Sequence, residues 1–257
     1  MPRQKLSTLN KIAISVMLAL GVSLVIVSAF YISSFLAILG TAISFWALVL
    51  LYITPAKHVP LTLLNASANV DSSNIERLLA ELDLTEKGVY LPPKNLKNIE
   101  SSLIFIPQKA KTPLPTPEET TEKLYSEQKT GVFITPPGLA LSQLFEQEHG
   151  SSFTKTDLKH LQSALPQLLV ENLELSENAE IYLQESTITI EIVGSILNSI
   201  CHETDNQPRT HMQVGCLLSS ALACVFAKTT GKPITIQNET QTLENKTTTI
   251  EYRIEEE

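Results

Sequence analysis

Apolar positions fall into three patterns along the chain. Between Lys11 and Lys57 lies a run of 45 residues without a charged side chain, dominated by Ile, Leu, Val, Ala and Phe. A helix needs about 20 residues to cross a bilayer at 1.5 Å per residue, so the run predicts two spans. They divide at Tyr31-Ile32-Ser33-Ser34, giving helices over about 12–30 and 35–53. A cleaved signal peptide is a poorer fit, because its apolar region is only about 7–15 residues long. Ala19, Gly21, Ser23, Gly40, Ala42 and Ser44 recur within the run. Small residues of this kind let two helices approach closely and predict a self-packed hairpin.

From residue 58 the periodicity is mixed. Ile75, Leu78, Leu79 and Leu82 share one helical face after Asp71-Ser72-Ser73, and two short strands, 88–91 and 103–106, are stopped by proline. This predicts a small juxtamembrane α/β unit over 58–107. Residues 108–130 hold three prolines, directly after Pro107, and few large apolar groups. They predict a solvated linker, because little burial is available to offset ordering entropy.

The stretch 131–257 predicts strand, helix, helix, two strands, two helices and a closing hairpin. Its strands are 131–135, 179–183, 188–193, 234–237 and 247–254. Its helices begin near Leu139, Thr154, Ser195 and Val214, with Pro166 predicting a kink or restart and Gly231 a C-terminal stop. The fold class expected is therefore α+β, a two-helix transmembrane hairpin followed by a cytoplasmic domain with antiparallel hairpins.

Composition sharpens this division. Of 19 basic and 27 acidic residues, four basic ones (Arg3, Lys5, Lys11, Lys57) and no acidic one lie in 1–57, so 58–257 carries 15 against 27, a net of −12. The mean hydropathy of +0.09 is an average over two unlike parts. An acidic polar part excludes nucleic-acid binding through phosphate contacts. Cations flank both spans while the connecting loop has none, so the positive-inside rule places both termini in the cytoplasm of the cell membrane. Three cysteines without paired spacing fit a reducing compartment. The sequons at Asn65, Asn238 and Asn245 are no more than chance supplies in a Ser/Thr-rich chain.

Chemistry is sparse. Cys201, His202, His211, Cys216 and Cys224 fall within 24 residues, but zinc needs four convergent ligands. Cys216 and Cys224, about 12 Å apart along one helix, cannot share one. The expectation is no metal and no cofactor, with the cysteines as buried thiols. A thiol nucleophile would be Cys216, near a helix start that favours the thiolate, with His202 or His211 as its base. There is no G-x-S-x-G, phosphate-binding loop, dinucleotide fingerprint or H-E-x-x-H pattern.

The stretch from Val214 to Pro233 (VGCLLSSALACVFAKTTGKP), with Tyr90-Leu91-Pro92-Pro93, Phe105-Ile106-Pro107 and Thr135-Pro136-Pro137-Gly138 behind a hairpin, resembles uncharacterised two-span membrane proteins of archaea. That resemblance implies an architecture and no activity. The element order of 138–254 is also similar to vinyl-reductase/TRAPP-like domains, although the late cysteine-bearing strand of the former is missing.

The function expected is a non-enzymatic interaction or scaffold protein. It would be anchored in the lipid bilayer and present its acidic domain to a protein partner or a second copy of itself. The alternatives are a small-ligand-sensing module of vinyl-reductase/TRAPP-like type, with a pocket between the Cys216–Phe226 helix and the sheet, and a thiol-dependent enzyme using Cys216.

Overall fold

The computed structural model describes residues 3–53, 72–96, 101–110, 112–115, 130–198, 201, 207–242 and 246–255, with backbone alone at 3–13 and 51–53. The chain divides into two compact units, Met1–Pro60 and Leu61–Glu257.

The first unit is a pair of apolar helices, α1 (Arg3–Tyr31) and α2 (Ser34–Ile53). The turn falls at the expected break, where Ile32 adopts φ +47°. Both predicted helices are present, and α1 begins earlier than expected because nothing in Arg3-Gln4-Lys5 stops a helix. Ile14, Gly21 and Ser28 are buried on α1, and Gly40 and Ala47 on α2. A seven-residue spacing on both helices is the signature of a left-handed, shallow-angle seam. Glycine is required in it. A Cβ on Gly40 would lie 2.8 Å from the Gly21 carbonyl oxygen and 2.9 Å from the Val25 nitrogen. The outward side chains are apolar, with Phe30 82%, Phe35 74% and Ile38 70% exposed. The segment Ile14–Tyr31 is long and apolar enough to cross a membrane.

The second unit is α+β. Helix α3 (72–81) precedes β1 (Val89–Leu91), β2 (Leu103–Pro107), β3 (Gly131–Ile134), α4 (Leu139–His149), α5 (Leu158–Gln167), β4 (Asn178–Gln184) and β5 (Thr187–Val193). Helices α6 (Pro208–Val214) and α7 (Leu217–Thr230) and strands β6 (Ile234–Thr242) and β7 (Thr247–Ile254) complete it. All strands join one antiparallel sheet in the order β3-β2-β1-β6-β7-β5-β4.

This order corrects the expected domain division. Strands β1 and β2 do not form a separate juxtamembrane unit, since β1 pairs with β6 through Val89↔Thr235 and Tyr90↔Ile234. Two short strands cannot bury both faces alone, and β1 gains a partner on each edge by entering the larger sheet. Nor does 108–130 tether two domains. Gln108 N–H donates to the Thr130 carbonyl at 2.9 Å, so the stretch is an excursion between paired strands. Leu114 within it packs on a small apolar cluster of Val89, Leu91, Leu96, Phe105 and Phe133. The remainder of the predicted linker, residue 111 and 116–129, lies outside the described residues.

Alternation places Tyr90, Ile104, Ile106, Val132, Ile134, Ile188, Ile190, Ile250 and Tyr252 on the opposite face, in the main core. Helix α7 lies on that face, and every residue from Leu218 to Lys228 is buried. A helix buried all round needs small residues where backbones approach. Gly138 meets it at such a point. Its N–H donates to Ser220 Oγ at 3.1 Å, and a Cβ there would run into the Ala221 backbone. Phe226 and Tyr252 meet edge to face at 5.0 Å. Helices α4 and α5 pack on the outer side of α7. Pro166 produces no break in α5, which passes into a π-turn over Leu168–Asn172.

One charged contact is built into this layer. Lys228 Nζ lies 2.8 Å from Glu146 Oε2, and Glu146 Oε1 accepts from Ser152 Oγ at 2.6 Å and Phe153 N at 3.0 Å. Burial pushes the Glu146 carboxyl up, but hydrogen bonds from Lys228 and Ser152 and the Lys228 charge outweigh it and hold it below its ordinary range.

Candidate functional site

The cysteine-bearing region is built around a short helix that periodicity does not reveal. The sequence reads as a polar loop over Glu203–Thr210, yet Pro208–Val214 is helical, with Pro208 in its first turn. Glu76 from α3 fastens its start, accepting from Thr210 N at 2.7 Å and Thr210 Oγ1 at 2.9 Å. Gln213 Nε2 donates to the Leu84 carbonyl at 2.7 Å, and the Tyr90 hydroxyl to that of Val214. The helix expected from Val214 therefore starts at Leu217, separated by a break at Gly215 from a preceding helix that was not expected. That residue adopts φ +81°, and a Cβ on it would collide with Ser219 Oγ and Ile236 Cδ1.

The break sets Cys216 at the N-cap of α7, where its N–H donates to Ser219 Oγ at 2.8 Å. Its side chain points inward and is 1% exposed. The sulfur is paired with Cys201, with the Cα atoms 5.2 Å apart, within the usual disulfide range. The expectation of three free thiols is thus corrected. Cys201 and Cys216, 15 positions apart in sequence, meet where the chain returns through α6, which Glu76 fastens to α3. Sequence spacing carries no trace of that return.

The pairing also removes the basis for Cys216 as an exposed nucleophile, since a buried, bonded sulfur offers no thiolate to a substrate. His211 lies on α6 outside the cysteine cluster, and His202 lies outside the described residues. Cys224 is a free, buried thiol whose burial pushes it up to about 12, which makes it inert.

A third group, one the sequence did not single out, joins the pair. Ligand atoms of Cys201, Cys216 and Glu239 all lie within 4.8 Å of one another. Glu239 reaches them through a β-bulge. In β6, Ile236 pairs with Tyr252, but beyond the bulge Asn238 pairs with Glu251 and Glu239 with Ile250. The extra residue reverses the alternation, so Glu239 follows Ile234 and Ile236 onto the core face beside the buried Ile250. Lys87 supports the bulge through its ammonium, which donates to the carbonyls of Ile236 and Gln237. Burial, with the nearby Arg253 charge, lowers the Lys87 pKa.

Both carboxylate oxygens of Glu239 are withdrawn from solvent. Burial above all, with Cys224 and Glu239 nearby, raises the Tyr90 and Tyr252 phenols well above their ordinary value. Both tyrosines are therefore neutral hydrogen-bond donors. The only signal for Glu239 is the phase slip in Ile-Thr-Ile-Gln-Asn-Glu-Thr, and with no apolar residue after Ile236 the phase is unreadable.

The space where a ligand-sensing module would have its pocket, between α7 and the sheet, is filled by Leu222, Phe226, Tyr90 and Tyr252, all 0% exposed. Clefts occur instead at the surface. One of about 390 Å³ lies among Glu177, Ser195, Asn198 and Lys246, and another of about 320 Å³ among His149, His160, Gln167 and Asn172.

A family model described as a domain of unknown function, DUF7982, matches residues 2–254. The chain belongs to this family. The DUF7982 match spans both compact units, so the apolar helix pair is part of the family pattern together with the α+β unit. No curated protein and no solved structure matches the chain. The biochemical activity of this DUF7982 protein is unknown.

Proposed function

We propose that this DUF7982 chain is a membrane-anchored docking protein. The helix pair spans the cell membrane with both termini in the cytoplasm, and the α+β unit presents one sheet face to a basic protein partner. The apolar outward side chains of α1 and α2 support the anchor, because about 45 uncharged residues lose nothing on entering lipid whereas an exposed apolar patch in water favours association.

The observation that carries the docking role is the solvent-facing side of β4, β5 and β7. Glu180 stands directly opposite Glu191, and Glu251 lies on the same face opposite Thr189. Like charges paired across strands destabilise a sheet, so this arrangement serves stability poorly and suits a cationic surface well. Tyr182 Oη donates to Glu180 Oε2 at 2.6 Å, and that hydrogen bond, with a second from Asn178, lowers the Glu180 pKa and keeps it ionised. The counter-cation on the face, Arg253, is tied to Glu255 at 2.7 Å.

A photo-crosslinking residue placed at Thr189, in native membranes, tests this. The expected result is an adduct with a basic protein that disappears in the Glu180→Lys/Glu191→Lys variant and is not formed from a crosslinker at Met212. An adduct insensitive to the charge reversal would overturn the docking role, and recovery of the chain in the soluble fraction would overturn the anchor.

A further inference from the structure

We infer that Cys201, Cys216 and Glu239 form a binding site for a thiophilic divalent cation, of the zinc class, when the cysteine pair is in its dithiol state. Three observations converge. The two sulfurs and the carboxylate lie within 4.8 Å of one another. Both cysteines are 1% exposed, and the Glu239 oxygens are withdrawn from solvent. The elements holding them depart from regular geometry in ways that bring the ligands together: Gly215 turns the chain at φ +81° to set Cys216 inward, and the β6 bulge reverses the strand so that Glu239 faces the core.

Two thiolates and one carboxylate are a donor set that suits a zinc-class cation. Zinc binds thiolate at about 2.3 Å and carboxylate oxygen at about 2.0–2.2 Å. A tetrahedral zinc would need the two sulfurs about 3.7 Å apart, which side-chain rotation at Cα atoms 5.2 Å apart can supply. Three protein ligands leave the fourth position of the tetrahedron for water. Sequence spacing weighed Cys201, Cys216 and the two histidines as ligands. Among the described residues, the fold substitutes Glu239.

The disulfide and the cation exclude each other. A dithiol reductant supplies two electrons and two protons, the Cys201–Cys216 bond breaks to two thiols, and the reductant becomes a disulfide. Cation binding then forms two metal–sulfur bonds and releases both thiol protons to solvent. A reducing cytoplasm would hold the pair in the binding state.

The test uses the full chain in detergent micelles, reduced anaerobically with a phosphine and freed of metal, then titrated with Zn²⁺ and with Co²⁺ as a spectroscopic probe. One equivalent should bind per chain, with a thiolate-to-cobalt charge-transfer band, and the oxidised protein should bind none. Cys201→Ser and Cys216→Ser should each weaken that band, Glu239→Gln should lower affinity at least about 10-fold with both thiolates retained, and Cys224→Ser should change nothing. Failure of the reduced wild-type chain to bind an equivalent would overturn the site without reference to any variant. So would unchanged binding in Glu239→Gln. Neither result bears on the membrane anchor or the sheet face, which are measured separately.

Discussion

Replacing Lys228 by Met tests how the α7 layer is held. Lys228 is 8% exposed and Glu146 21%, so the variant removes an ammonium from a largely buried pair while keeping the aliphatic stem. Breaking a fully buried pair costs about 3–5 kcal/mol. Glu146 keeps its bonds from Ser152 and Phe153 and some contact with water, which reduces the expected loss to about 2 kcal/mol. For a unit of this size, that lowers Tm by about 4–8 °C. The double variant Glu146→Gln/Lys228→Met should recover about half, because no uncompensated charge is left.

The pH dependence has a definite sign. The Glu146 pKa is lowered in the fold, so its contribution is present above the unfolded value of about 4.3 and is lost as pH falls through the folded value. The gap between wild type and Lys228→Met should therefore be full at pH 7 and shrink below about pH 4. Urea unfolding of the full chain in micelles, followed by near-ultraviolet circular dichroism of the buried tyrosines, measures it. An unchanged midpoint at pH 7, or a gap that widens in acid, would refute the assignment.

Other substitutions probe other parts. Tyr252→Phe removes the hydroxyl that donates to the Ser219 carbonyl at 3.0 Å and should cost about 1–2 kcal/mol in the same unfolding assay. Gly215→Ala forces a side chain into φ +81° against Ser219 and Ile236. It should cost about 1–3 kcal/mol and slow oxidation of the Cys201–Cys216 pair, read by thiol titration after refolding. Gly40→Leu in the helix seam should abolish cross-linking between cysteines introduced on facing positions of α1 and α2, because the Gly21 backbone leaves no room for a Cβ.

What was legible in the sequence follows from the range of the signal. The uncharged run, the buried α7 stretch and the proline-stopped strands are local patterns, and the fold retains each with boundaries shifted by a few residues. The entry of β1 between β2 and β6 depends on Val89 meeting Thr235, a pairing that no local periodicity encodes. Helix α6 was hidden because Pro-Arg-Thr-His-Met-Gln-Val is too short to show a period, and its start is fastened by Glu76 from a distant helix. The cysteine pair depends on that return of the chain. Glu239 depends in addition on one extra residue in β6, which exchanges the two faces of the strand.

The central claim is that residues 12–53 hold this DUF7982 protein in a bilayer. Alkaline carbonate extraction of membranes carrying the full chain tests it most directly. The chain should remain in the membrane pellet, and Ile38→Lys/Ala42→Lys should shift part of it to the supernatant, because each charge within a span costs about 2.5–3.5 kcal/mol. Complete release of the unmodified chain by carbonate would contradict the claim.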